Sequence, residues 1–160
     1  MPEAPFKICF VCMGNICRSP IAENVFRHKV KQRGVEHLFF IDSAGTGGWH
    51  AGEPPDPRAR RTATAHSVEM SGVARQIKTG DFDNFDLLLC MDQENLDQLI
   101  ALGAPADRTR LLLSCDPNAR CAEVPDPYYG GPDGFESVFH LIDSACDALL
   151  NDLLAQHKKT

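Results

Sequence analysis

Cys12-Met13-Gly14-Asn15-Ile16-Cys17-Arg18-Ser19 places a thiol, an arginine six positions later and a hydroxyl in one short segment. That set suits transfer of a phosphoryl group to sulfur. A thiolate is a strong nucleophile, a guanidinium clamps a tetrahedral anion through paired donors, and the Ser19 hydroxyl can donate to the thiolate or to the departing sulfur. Gly14 lets backbone come close to an anion, and Asn15 tolerates the left-handed conformation that a nest of inward-pointing amides needs. If a helix begins here, its first amides and its dipole add positive potential at the same point and favour the thiolate of Cys12. Each residue alone has a plainer reading, since a strand-end cysteine packs as a small hydrophobe and an arginine or serine at a helix start meets solvent or caps. The combination is what points to chemistry.

A thiolate cannot supply the proton that a poor leaving oxygen needs, so a separate acid is expected. Asp56-Pro57, Asp116-Pro117 and Asp126-Pro127 are three Asp-Pro pairs that would each serve as ordinary turns. Asp126 is the preferred acid because Tyr128 and Tyr129 follow it, two aromatics able to stack on a flat substrate, with Gly130-Gly131 allowing a sharp exit. Trp49, the sole tryptophan, lies in a Gly-rich loop and either forms the opposite wall or folds back on the core. Cys9, Cys12 and Cys17 invite a metal reading by their C-x2-C-x4-C spacing, yet no second cysteine or histidine pair completes a four-ligand set. No metal and no cofactor are expected.

The elements that must position these groups follow from the apolar pattern. Residues 6–11 (FKICFV) read as a strand, with Ser19 as N-cap and Pro20 as first residue of a helix whose Ile21, Ala22, Val25, Phe26 and Val30 share a face until Gly34. Residues 37–43 read as a second strand, 44–57 as a Gly/Pro-rich loop and 58–70 as a helix. Residues 85–91 form an apolar run of the kind buried on both faces of a sheet, 92–102 a capped helix ended by Gly103, and 110–115 another strand. After a loop over 116–134, Phe135, Val138, Phe139, Ile142, Ala145, Cys146, Leu149, Leu150 and Leu153 make the apolar face of a last helix. Strand and helix alternating four times predict a parallel sheet covered on both sides, with ligands bound beyond the carboxyl ends of the strands.

At 160 residues the chain is expected to be one domain, residues 1–160, able to bury about 70% of its unfolded surface. A net charge of -6 argues against nucleic acid or an anionic membrane as partner. The apolar run at 6–13 is too short to span a membrane and carries no leader features. Seven cysteines is an odd number, and Cys9, Cys90 and Cys146 sit in apolar runs, so reduced thiols and a cytoplasmic location are expected.

Through VCMGNICRSP, SAGTGGWH, PPDPRA and DPYYGG, spread in order over residues 11–131, the chain resembles the low-molecular-weight protein tyrosine phosphatases. The resemblance implies a single-domain three-layer α-β-α sandwich with a four-stranded parallel sheet, flavodoxin-like (phosphotyrosine protein phosphatase I-like), and no metal. It implies hydrolysis of phosphotyrosine and aryl phosphates through a phosphocysteine at Cys12, with Arg18 and Asp126 completing the catalytic set and phosphate as product and inhibitor. By the same resemblance Met13 to Ser19 form the phosphate loop, Asn15 and Ser43 support it, and Cys17 is the redox partner of Cys12. Ile16, Trp49, Tyr128 and Tyr129 would line the substrate slot, both tyrosines being potential phosphorylation sites. Relatives directed at phosphoarginine tend to carry threonine where this chain has Ile16. One departure stands out: where the family often has a bracing histidine this chain has Gly72, and His66 is not at that position. The related alternatives are a thioredoxin-coupled arsenate reductase on the same fold and a catalytically silent phosphotyrosine-binding module.

Overall fold

The computed structural model describes residues 4–128 and 130–158. Its strands are β1 (Phe6–Cys12), β2 (Phe39–Gly45), β3 (Leu87–Cys90) and β4 (Thr109–Leu111), and its helices α1 (Arg18–Gln32), α2 (Pro57–Ala65), α3 (Asp81–Asn84), α4 (Gln93–Ala101) and α5 (Pro132–Lys158). The strands pair in parallel in the order β2-β1-β3-β4. β1 is therefore central, and the chain reverses its direction of winding between β1 and β3, where a crevice opens at the carboxyl ends.

The period-2 alternation of β1 divides the core into two halves. Ile8, Phe10 and Cys12 pack with α1, α2 and α5, whereas Cys9 and Val11 pack with Phe82, Leu99 and Ala104 on the opposite face. Phe10 and Phe26 are fully buried with ring centroids 5.9 Å apart, and each such side chain contributes roughly 1.5–3 kcal/mol by burial. α1 ends as its sequence prescribes: Gly34 turns left-handed at φ 66, and the Val35 amide closes on the Val30 carbonyl at 2.9 Å. Because Cys9 and Cys12 face opposite sides of the sheet, the C-x2-C-x4-C spacing does not gather three thiols.

The three-layer α/β architecture is the expected one, with local differences that have physical causes. α1 starts at Arg18, so Ser19 lies inside the first turn and is not its cap. α2 stops at Ala65, where His66 and the left-handed Ser67 (φ 65) turn the chain away before residue 70. β4 is only three residues long, because Leu112 and Leu113 leave the ladder in a 3-10 turn that sends them into the core. The last helix begins at Pro132, earlier than its apolar face suggests.

Candidate active site

β1 delivers Cys12 to the carboxyl edge of the sheet, and α1 begins six residues later with Arg18. The segment between them is held from outside by its carbonyls. Cys12 and Met13 carbonyls accept from the Thr46 and Gly47 amides, both at 2.9 Å, and the Ile16 carbonyl accepts from the Asp56 amide at 2.8 Å. A trans peptide points its N–H opposite to its C=O, so the amides of Met13, Gly14 and Cys17 face inward. Gly45 makes this clasp possible, since a Cβ there would sit 2.8 Å from the Met13 carbonyl oxygen.

Asn15 is the keystone of the loop. It takes φ 58 as expected of a nest residue and is 2% exposed. Its Nδ2 donates to Ser19 Oγ at 2.8 Å and to Ser43 Oγ at 3.0 Å, and its Oδ1 accepts from the Arg75 amide at 2.9 Å. With Asn15 donating to Ser19, the Ser19 proton is directed at Cys12 Sγ, 2.9 Å away, while the Asn15 amide donates to the same sulfur at 3.3 Å. Two donors are thus aimed at one sulfur. Ser43 in turn donates to Glu23, whose other oxygen holds Arg27 at 2.7 Å. That chain of contacts supports the loop without a histidine at position 72, where Gly72 is exposed with φ 94.

Arg18 is 3% exposed and lies between two acids. Its Nη1 donates to Asp92 at 2.6 Å and to the Val124 carbonyl at 3.1 Å, and its Nη2 is 3.6 Å from Asp126. Burial alone would loosen the guanidinium proton, but the Cys12 thiolate, Asp92 and Asp126 outweigh it and hold the group above its usual range. Asp92, which sequence reasoning missed, caps α4 through the Asn95 amide while its second oxygen turns to Arg18. Its signal was positional: an acid at the carboxyl end of β3, the strand beside β1.

Cys12, Met13, Gly14, Ile16, Cys17, Arg18, His50, Asp126 and Tyr128 line one cavity of about 250 Å³. Of the three Asp-Pro acids only Asp126 is there. Asp56 caps α2 and is held by Arg58, whose hydrogen bonds keep its carboxyl below the usual range despite burial, and Asp116 closes a turn onto the Asn118 amide. Asp126 Oδ1 accepts from the Tyr128 amide at 3.0 Å, and Arg58 anchors the same loop by donating to the Tyr128 carbonyl at 2.9 Å.

Trp49 is not brought to this cavity. It is 73% exposed with its ring laid over Gly47, close enough that a Cβ on Gly47 would lie 1.7 Å from it. The neighbouring His50, missed in the sequence, takes the wall instead, tied to Glu53 at 3.0 Å. Tyr129 lies outside the described residues. Cys17 is in the lining, but burial, reinforced by Asp56 and Cys12, pushes its thiol up to about 12.

A parallel α/β sheet with a Cys-x5-Arg loop at its switch point, an acid facing the arginine and an aromatic wall defines the class of cysteine-dependent anion-processing sites. The family model for "Low molecular weight phosphotyrosine protein phosphatase" matches residues 7–159, and the chain belongs to that family. A low molecular weight protein-tyrosine-phosphatase of Streptomyces coelicolor is 46% identical over 151 residues, covering 91% of this chain and 92% of that one. The crystal structure of YfkJ from Bacillus subtilis superposes with a TM-score of 0.91 at 37% identity, covering 96% of this chain and 98% of that one. A drosophila arginine phosphatase superposes at 0.85 and 31% identity, with 97% and 99% covered. Among the described residues no helix is long and apolar enough to cross a membrane.

Proposed function

We propose that residues 1–160 act as one phosphatase domain that hydrolyses phosphotyrosine and small aryl phosphates through a phosphocysteine. The observation that carries this is the convergence of Cys12, Arg18 and Asp126 on one cavity at the end of β1. In the first step Cys12 Sγ attacks phosphorus as the ester P–O bond breaks, and Asp126, protonated, gives its proton to the departing phenolate oxygen. Arg18 and the inward amides of the loop hold the phosphoryl oxygens through the transition state. In the second step Asp126 takes a proton from water, water oxygen bonds to phosphorus, and the P–S bond breaks to return thiolate, with Ser19 donating to the leaving sulfur. Phosphate is the product and, fitting the same loop, an inhibitor.

Ile16, an aliphatic side chain in the cavity wall with Tyr128 in the same lining, supports a flat aromatic substrate over an arginine-linked one. The arsenate reductase alternative needs mobile thiols for a relay, whereas Cys90 is fully buried and burial pushes its thiol up to about 12. Seven free cysteines support a reducing, cytoplasmic setting, and Cys17 in the same cavity supports its role as redox partner of Cys12.

The test is phosphate release from p-nitrophenyl phosphate and a phosphotyrosine peptide by the reduced chain with chelator present. Turnover should vanish in Cys12→Ser while inorganic phosphate still binds. Substantial residual turnover in that variant, or an inert wild type, overturns the reading.

A further inference from the structure

On the surface away from this cavity, His66, Glu136 and His140 point their ligand atoms at one another. His66, at the carboxyl end of α2, places Nε2 2.6 Å from Glu136 Oε1, and His140, one turn after Glu136 on α5, places its Nε2 3.0 Å from the same oxygen. All three ligand atoms lie within 4.8 Å of one another. The His66 ring does not turn freely, because it stacks on Phe139 at 4.3 Å with the planes 11° apart. None of the three lines the cavity that holds Cys12.

We propose that these residues form a binding site for a borderline divalent cation, with Zn²⁺ as its best fit. Two imidazoles and a carboxylate are the donors such ions prefer, and hard cations such as Ca²⁺ and Mg²⁺ select oxygen cages instead. Three ligands of a tetrahedral centre stand about 3.4 Å apart when each bond is about 2.1 Å. Side-chain adjustments alone reach that spacing from the observed one. The side chains are 30%, 47% and 63% exposed for His66, Glu136 and His140, so water can fill the fourth position. The ion replaces the two Nε2 contacts to Glu136 with bonds to itself and ties the end of α2 to the first turns of α5. α5 starts just beyond the loop that carries Asp126, so the clip joins α5 to the helix that carries that loop's anchor, Arg58, whose guanidinium lies 4.8 Å from the Phe135 ring of α5.

The full, reduced chain is titrated with Zn²⁺ while the imidazole resonances are followed by NMR, and with Co²⁺ while the visible and near-ultraviolet spectra are recorded. His66 and His140 should respond together at one equivalent, ahead of His28, His37, His50 and His157, and the Co²⁺ complex should show d–d bands without sulfur charge transfer. His140→Gln and Glu136→Gln should each weaken Zn²⁺ at least tenfold, whereas Cys12→Ser should leave that affinity unchanged. A sulfur charge-transfer band at the first equivalent, loss of binding in Cys12→Ser, or unchanged affinity in His140→Gln overturns the site. His140 is exposed and its variant is expected to fold; retained turnover of p-nitrophenyl phosphate with chelator present verifies that it has.

Discussion

Two loops meet over the thiol, and they are built in opposite ways. The loop from Cys12 to Arg18 is buried apart from Met13 and Gly14, and its polar groups are tied to β2, to the Arg75 segment and to the start of α2. The Asp126 loop is exposed at Asp126 and is held on either side of it by the buried Val124, which bonds to Met91 and Arg18, and by the buried Pro127 and the Arg58 contacts. In the proposed reaction the nucleophile and anion clamp gain from being fixed in advance, because transition-state charge is best met by dipoles that need not reorganise. In that reaction the acid must admit an aromatic ring and follow its oxygen, and a less constrained segment suits that role.

Replacing a member of the fixed loop should therefore break more than replacing the acid. Arg18→Lys removes the planar fork and leaves Asp92 and Asp126 facing a point charge, and should lower kcat about 10³-fold in steady-state assays. Asn15→Ala loses three side-chain hydrogen bonds and forces a left-handed backbone on alanine. It should cost about 3 kcal/mol in urea unfolding, and an unchanged midpoint would refute the keystone role. Asp126→Asn should leave the midpoint alone but lower kcat about 10²-fold on phenyl phosphate, with the loss shrinking as the leaving phenol becomes more acidic. If Asp56→Asn or Asp116→Asn lowers turnover more than Asp126→Asn does, the acid has been assigned to the wrong Asp-Pro.

The smallest effect is expected at Asp56. Arg58 holds its carboxyl below the value of an unfolded chain, so its ionised form adds stability that is complete above the unfolded value and is lost as pH falls through the folded one. Asp56→Asn keeps a side chain able to cap α2 and should cost less than about 1 kcal/mol at pH 7. Wild type and variant should converge as pH drops below the usual carboxylate range, and a gap that widens in acid would contradict the sign.

Much of the site was legible because its residues are neighbours in the chain. Cys12, Asn15, Arg18 and Ser19 fall within one strand–loop–helix unit, and local rules on left-handed residues, helix starts and anion nests read such units well. Asp126 was preferred among three Asp-Pro pairs only through the tyrosines that follow it, and the fold separates it from Asp56 and Asp116. Asp92, His50, Glu23 and Arg75 were not legible, since each meets the loop through contacts distant in sequence or through a side-chain direction that propensity does not set. Trp49 illustrates the latter: the right loop was identified, but its ring lies on Gly47 and His50 faces the cavity.

What the sequence by itself determined is the alternation of elements, the position of Cys12 at a strand end and the composition of the loop after it, because apolar period and glycine chemistry act over a few residues. Only the tertiary structure decided which acid faces Arg18, how the loop is supported with Gly72 in place of a histidine, and that Cys9 and Cys12 are kept on opposite faces. The physical reason is that those outcomes depend on strand order and on which carbonyls and side chains the parallel sheet brings side by side, distances that local propensity does not encode.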